Sequence, residues 1–202
     1  MIQSNRNAYH HGDLRRALLD AALARLADGE AGQLKLRALA GDAGVSATAV
    51  YRHFADKEAL LAAIATEGFE GLRHETRAGG EDARDPVARL HGIGCGYVRF
   101  AREHPAHYRL MFGPRMLDRE QHPELERAAG ASYAVLEDTV REGVEAGVLA
   151  PADAALLSTA AWSLVHGLAL LIIDGLIDPE RADDALTERI TGLLATGMES
   201  TS

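Results

Sequence analysis

Cysteine is almost absent from this chain: Cys95 stands alone, so no intrachain disulfide can form and a reducing compartment is the natural setting. The opening stretch, MIQSNRNAYHHGD, has no apolar run, so no secretory signal is expected and the reading is cytoplasmic. No sustained two-residue alternation rich in β-branched side chains occurs, which argues against a sheet. Without strands there is also no strand-borne glycine-rich loop to cradle a phosphate. Internal repeats and low-complexity tracts are lacking as well. Apolar material, by contrast, is ample. Hydrophobic residues make up 47% of 202 positions, enough for a sizeable core and too many for wholesale disorder. The length suits one compact unit or a small domain joined to a larger one.

Charge is unevenly divided. The whole chain carries −9, yet residues 1–57 hold eight Lys+Arg against six Asp+Glu, a net +2, leaving −11 for the remainder. A mildly basic end on an acidic body is the polarity expected of a protein that meets phosphates with one end only.

The most informative stretch is LRALAGDAGVSATAVYRHFADK, from Leu36 to Lys57. Leu39, Ala40 and Ala43 make an apolar stripe. Gly44 stands where that helix must stop, because glycine tolerates the left-handed backbone of a helix C-terminus. Ser46 is placed to cap the next helix, with Val45 available for a hydrophobic staple. Ala40, Gly44 and Val50 are expected to let the two helices cross closely, which is a helix-turn-helix pattern. Val50 and Phe54, four apart, point inward, so Thr48, Tyr51 and Arg52 face out. That outer face suits the major groove of duplex DNA. Arg52 can grip guanine O6 and N7 together, and Ala47 and Thr48 in the first turn can touch thymine methyls; the capping residue Ser46 is counted with the DNA-binding set. Tyr51, His53 and Lys57 read as phosphate contacts, although Tyr51 equally suits half-buried packing; Arg37 is a further phosphate contact. Arg6, in the arm before Tyr9, could reach an adjoining minor groove.

Around this motif the reading is all-α. A first helix is expected over Asp13–Ala27 with Asp13 as cap and Leu14, Leu18, Ala22 and Leu26 on one face. Asp56 caps a long helix carrying Leu60, Ile64 and Leu72. The segment Ala78–Asp85, with Gly79 and Gly80, reads as a linker. Pro86 then opens a helix with Leu90, Gly94, Tyr97, Val98 and Ala101 inward, broken at His104-Pro105. Further helices are expected over Pro105–Phe112, Glu124 to about Gly147, Pro151–Asp174 and Pro179–Gly197. The domains are therefore 1–57, an N-terminal arm and helix-turn-helix; 58–78, a connecting helix; and 86–202, a helical domain for ligand binding and dimerisation.

Together YHHGDLRRALLDAALARLA, LRALAGDAGVS and ATAVYRHFADKEALL resemble the N-terminal domain of TetR-family transcriptional regulators, over about residues 9–70. AWSLVHGLALL, with Trp162, His166 and Gly167, resembles the Trp-His-Gly signature of one TetR C-terminal subclass. The resemblance implies a ligand-responsive regulator, a repressor, that binds palindromic operator DNA as a homodimer and is released by a small molecule. It also implies a ligand site within the C-terminal helices. Tyr97, Met111, Phe112, Met116, Tyr133, Trp162 and His166 are the large, polarizable or amphipathic side chains available for it, so the effector should be apolar or aromatic. Spacing alone would equally make these residues ordinary core. The dimer surface is assigned to Leu168 and Ile172 of the uncharged helix and to Leu186, Ile190 and Leu193 of the last one.

Two other function classes compete with this reading: a small helical enzyme with a cleft in the C-terminal half, and a helical adaptor. The residues argue against catalysis. His91 and Cys95 lie four apart but offer only two ligands, so neither metal nor cofactor is expected. Cys95 has no basic activator, and Asp183 with Asp184 reads as a solvated helix face. The charge-free run Ala154–Ile173 is long enough to span a bilayer but contains Ser158, Thr159, Ser163 and His166 and lacks basic flanks, so a buried interface helix is expected instead.

Overall fold

The computed structural model describes residues 11–29, 34–113, 117–178 and 180–198. Arg6, Tyr9 and Met116 lie outside these residues. Among those described there are nine helices: α1 (His11–Ala27), α2 (Leu36–Asp42), α3 (Ala47–Tyr51), α4 (Lys57–Gly80), α5 (Pro86–Glu103), α6 (Pro105–Phe112), α7 (Pro123–Glu145), α8 (Ala154–Ile173) and α9 (Asp184–Gly197). The chain divides into two compact units between Ile64 and Ala65, inside α4.

The first unit is built on Leu18, Leu39, Val50 and Leu60, all essentially inaccessible to solvent. Its local geometry follows from its punctuation. Gly44 adopts φ +65°, which ends α2, and the Ser46 hydroxyl accepts the Ala49 N–H at 3.3 Å, which starts α3. Asp56 caps α4 through the Ala59 N–H at 2.8 Å. Arg25 of α1 holds Asp42 of α2 at 2.7 Å, and the Arg15 guanidinium lies 5.5 Å from the centre of the Phe54 ring.

The second unit is organised around α5, which packs on α6, α7, α8 and α9. Its cap is strong: Asp85 accepts the Ala88 N–H at 2.8 Å, with Pro86 at the first helical position. Three arginines along α5 tie it outward, Arg89 to Glu142 of α7, Arg99 to Glu75 of α4, and Arg102 to Asp184 of α9. All three pairs are partly exposed, so they orient more than they stabilise. Between α5, α7 and α8 lies a core of Leu90, Leu136, Val140, Leu149 and Ala161, closed by Met198. The Met198 carbonyl accepts the Ala150 N–H at 2.7 Å, anchoring the end of α9 to the α7–α8 connection.

Several boundaries and roles differ from the sequence expectation. α1 begins at His11, two residues before the start expected at Asp13. A Cβ on Gly44 would meet nothing within 4 Å; the residue serves the turn and not a close helix crossing. α4 continues through Gly79 and Gly80, which the sequence placed in a linker, because these glycines have a packing task. A Cβ on Gly79 would lie 2.2 Å from the Gly92 carbonyl oxygen, and one on Gly96 2.3 Å from that of Glu75. α4 and α5 thus touch backbone to backbone, and only glycine permits it. α8 and α9 start at Ala154 and Asp184, later than expected, because Asp153 and Asp183 are their caps. Asp183 accepts the Leu186 N–H at 2.8 Å and Asp184 pairs with Arg102, so this acidic pair is a start signal and a tether rather than a merely solvated face. α8 is long and apolar enough to cross a membrane by length and composition alone, yet its Ser158, Ala161, Val165, Leu168 and Ala169 face is buried inside this unit.

Candidate functional site: a helix-turn-helix face and an aromatic cavity

On the first unit, inward packing of Val50 and Phe54 turns the opposite side of α3 to solvent. Ser46, Thr48, Tyr51 and Arg52 are exposed, Tyr51 at 47%, while Ala47, His53 and Lys57 are half-buried and Arg37 on α2 is exposed. The exposure of Tyr51 sets aside its half-buried packing role. Arg52 is the C-cap of α3 rather than a residue inside it. Thr48 and Arg52 are four apart and so lie on one side of this single turn.

The second unit encloses a cavity of about 530 Å³, within the range of small-molecule sites. Tyr97, Met111, Phe112, Tyr133, Trp162 and His166 all line it, although they come from α5, α6, α7 and α8. Their rings interlock. Phe112 stands edge-on to His166 at 4.9 Å and to Phe69 at 5.4 Å, and Trp162 lies 5.7 Å from Tyr133 and 5.5 Å from His166. α6 is held in place from two sides. Gly68 of α4 leaves room for the Met111 side chain, and Arg109 donates to the Ile173 carbonyl and to Asp174 at the end of α8. A cation at that helix terminus satisfies an orphan carbonyl and the dipole together.

Behind the aromatic wall stands Tyr108, fully buried, which the sequence reading missed. Its only sequence signal is its place on one short amphipathic helix with Met111 and Phe112. Tyr108 Oη lies 2.6 Å from His166 Nδ1 and 3.0 Å from Tyr97 Oη; Tyr97 Oη is in turn 3.0 Å from the same Nδ1. Trp162 Nε1–H donates to Tyr97 Oη at 3.1 Å. Burial pushes the Tyr97 phenol up to about 12 and raises Tyr108 further, with the neighbouring Tyr97 adding to the latter. Burial lowers His166 below the ordinary imidazole value. The cluster is therefore two neutral phenols around a neutral imidazole.

Sequence reasoning also missed the α4 and α9 walls, Phe69, Leu72, Thr76 and Thr191. The Thr76 and Thr191 hydroxyls donate to the carbonyls of Leu72 and Thr187 on their own helices, so they add little polarity to the cavity. Arg119, stacked 5.2 Å from the Phe69 ring centre, and exposed Glu126 carry the charge of the lining. His91 and Cys95 do meet, Sγ 3.8 Å from Nε2, but His91 Nε2 also faces the Glu188 carbonyl at 3.0 Å. Burial raises the Cys95 thiol, which disfavours the thiolate a metal or nucleophile would need.

Of the five residues assigned to a dimer surface, Leu168 is 5% exposed and faces its own core. Ile172, Leu186 and Ile190 are half-buried and Leu193 is 75% exposed. The outward apolar residues of α8 are Leu156, Leu164 and Leu171.

No curated protein matches this chain. Among solved structures, a protein of unknown function from Rhodococcus sp. RHA1 is 32% identical, with 96% of this chain and 99% of that one covered and a TM-score of 0.83. The TetR family transcriptional regulator PfmR from Thermus thermophilus shares the fold at 23% identity, with 89% and 97% covered and a TM-score of 0.71. So does the fatty acid degradation regulator FadR from Bacillus halodurans, at 19% identity, 91% and 95% covered and a TM-score of 0.74. Residues 18–64 match the model of bacterial regulatory proteins of the tetR family, and residues 90–194 match a tetracyclin repressor-like C-terminal domain that includes the Trp-His-Gly residues. The chain belongs to the TetR family of transcriptional regulators, with a C-terminal domain of the Trp-His-Gly type.

Proposed function

We propose that this regulator is a repressor that binds palindromic operator DNA as a homodimer and is released when a small apolar or aromatic molecule enters the cavity of its second unit. The observation that carries the reading is the pairing of an outward Thr48–Tyr51–Arg52 face with an aromatic-lined cavity in the same chain. Arg52 and Thr48 read base edges, while Arg37, Tyr51, His53 and Lys57 hold phosphates. One helix belongs to both units: α4 starts at Lys57 beside the DNA-reading turn and carries Phe69, Leu72 and Thr76 of the cavity wall. A ligand acts only through its differential affinity for two states, and a hundredfold loss of DNA affinity needs about 2.7 kcal/mol of coupling. Dimerisation uses α8 and α9, through Leu156, Leu164, Leu171 and Leu193 with half-buried Ile172, Leu186 and Ile190. Two such helices from each copy would bury leucines that a monomer leaves in water.

The test is protection of the DNA flanking the chain's own gene, with sedimentation of the free protein alongside. A two-fold symmetric footprint and a dimer at micromolar concentration are expected. A monomer with or without DNA, or no specific protection, would overturn the reading. Titration of the sole tryptophan, Trp162, with apolar and aromatic compounds then separates a sensor from a cavity: a compound that quenches Trp162 without changing DNA affinity marks a pocket without a switch.

A further inference from the structure

The cavity has one polar anchor whose proton is set by the residues behind it. His166 Nδ1, Tyr97 Oη and Tyr108 Oη form a triangle with sides of 3.0, 2.6 and 3.0 Å, and Tyr97 Oη already accepts from Trp162. Counting hydrogens favours one tautomer. Were Nδ1 protonated, the triangle would hold three hydrogens and only the two phenolic oxygens as acceptors, with Tyr97 Oη already taking the indole proton. Only two of those hydrogens would then find an acceptor inside the triangle, and one phenolic hydrogen would turn out of it unmatched. With Nδ1 bare, Tyr97 donates to Tyr108 and Tyr108 donates to Nδ1, and every hydrogen in the triangle is matched. The remaining imidazole hydrogen must sit on Nε2.

Nε2 has no partner among the described residues. Ser158 Oγ is the sole sealed and unpartnered side-chain nitrogen or oxygen among those residues, so Nε2 keeps access to open space. His166 lines the cavity and its Nδ1 edge is occupied by the two tyrosines, which leaves Nε2 as the imidazole nitrogen available to a ligand there. The indole of Trp162 and the ring of Phe112 flank it.

We propose that the effector is an uncharged, aromatic-sized molecule bearing a carbonyl-type oxygen, and that this oxygen accepts the His166 Nε2–H. The proposal rests on the reading of the cavity as a ligand site. Burial keeps the imidazole neutral, so the anchor is a hydrogen-bond donor rather than a cation. A donor left unpartnered in an apolar site discriminates strongly between a ligand that carries an acceptor and a carbon isostere that does not. Arg119 and Glu126 supply opposite charges, which gives the lining no net sign with which to select an ion. Tyr97 and Tyr108 are positioning residues: they aim the His166 ring and, by hydrogen-bonding to Nδ1, keep its proton on Nε2, without themselves supplying the donated hydrogen.

Two measurements on the full-length protein, both without DNA, test this. In the nitrogen-15 spectrum of labelled protein at neutral pH, the His166 signals, identified by their loss in His166→Gln, should show a protonated Nε2 and an unprotonated Nδ1. Equilibrium dialysis should then compare benzophenone with 1,1-diphenylethylene, in which a methylene replaces the carbonyl oxygen. The ratio of the two dissociation constants should shift by about five- to tenfold against the ketone in His166→Phe. His166→Gln, whose amide N–H reaches the same region, should restore part of that preference, which a general loss of folding would not do. A protonated Nδ1, an unchanged ratio in His166→Phe, or failure of wild-type protein to bind either compound would each overturn the proposal. If the ketone binds as expected but leaves DNA affinity untouched, the anchor stands and the sensor reading fails, so the two failures are distinguishable.

Discussion

The first unit carries its candidate contacts on the outside, on and around a helix of five residues, whereas the second unit carries its candidate contacts inside, on side chains drawn from six helices. An exposed reading face needs only that a short helix be correctly started, stopped and turned. Ser46, Gly44 and the inward pair Val50 and Phe54 accomplish that within eleven residues. An internal cavity needs the opposite: large rings brought together from positions as distant as Phe69 and His166, and a scaffold stiff enough not to collapse around the space. Glycine shows the difference most plainly. Gly44 is used for its backbone angle in open solvent, and Gly79, Gly92 and Gly96 are used for their missing Cβ where two helices touch.

That contrast can be broken by substitution. Gly92→Ala would set a Cβ 2.0 Å from the Gly79 carbonyl oxygen, a backbone atom that cannot move aside alone. A loss of about 3 kcal/mol is expected by urea unfolding, with ligand capture falling as the α4–α5 contact opens. A loss under about 1 kcal/mol would mean that the crossing is loose. Next in size is Arg52→Ala, which should cost about 1–3 kcal/mol of specific DNA affinity and relax preference at one base pair per half-site. Lys57→Ala should weaken all sequences alike and flatten the salt dependence. Unchanged base preference in the first variant would move the reading face elsewhere. Gly44→Ala meets no atom but forces an L side chain to φ +65°, so a loss of about 1 kcal/mol is expected, with the fold kept. A loss as large as that of Gly92→Ala would erase the distinction between the two kinds of glycine.

The smallest effect concerns pH. His166 is held below its ordinary value by burial, so the unfolded chain takes up that proton first as pH falls. Stability should be constant with respect to this group above about pH 6.5 and decline below it, towards the lowered folded value. The difference in unfolding free energy between wild type and His166→Gln should therefore narrow below about pH 6.5. A gap that is flat with pH would place the imidazole in an environment as wet as the unfolded chain.

Much of the helical order was legible because its signals are local. The caps at Ser46 and Asp56, the start at Pro86 and the break at Pro105 act within one turn, and the structure uses each of them as the pattern predicts. Where sequence reasoning failed, a local signal had two physical meanings. Gly79-Gly80 marks a linker or a close crossing equally well, and the difference lies in Gly92, on another helix. Leu168 reads as outward in the sequence because α8 is apolar nearly all round, and a helix without a polar side has no periodicity to say which way it faces.

By itself, then, the sequence determined the helices, the helix-turn-helix and the outward set on α3, since hydrogen-bonded caps and a 3.6-residue period act over a few residues. It also supplied the aromatic inventory of the cavity. Only the tertiary structure decided that α4 and α9 close that cavity and that Leu168 is core. It alone placed Tyr108 behind His166 so that two phenols face one imidazole nitrogen, because a hydrogen-bond triangle among residues 97, 108 and 166 exists only when three helices are packed to within an ångström.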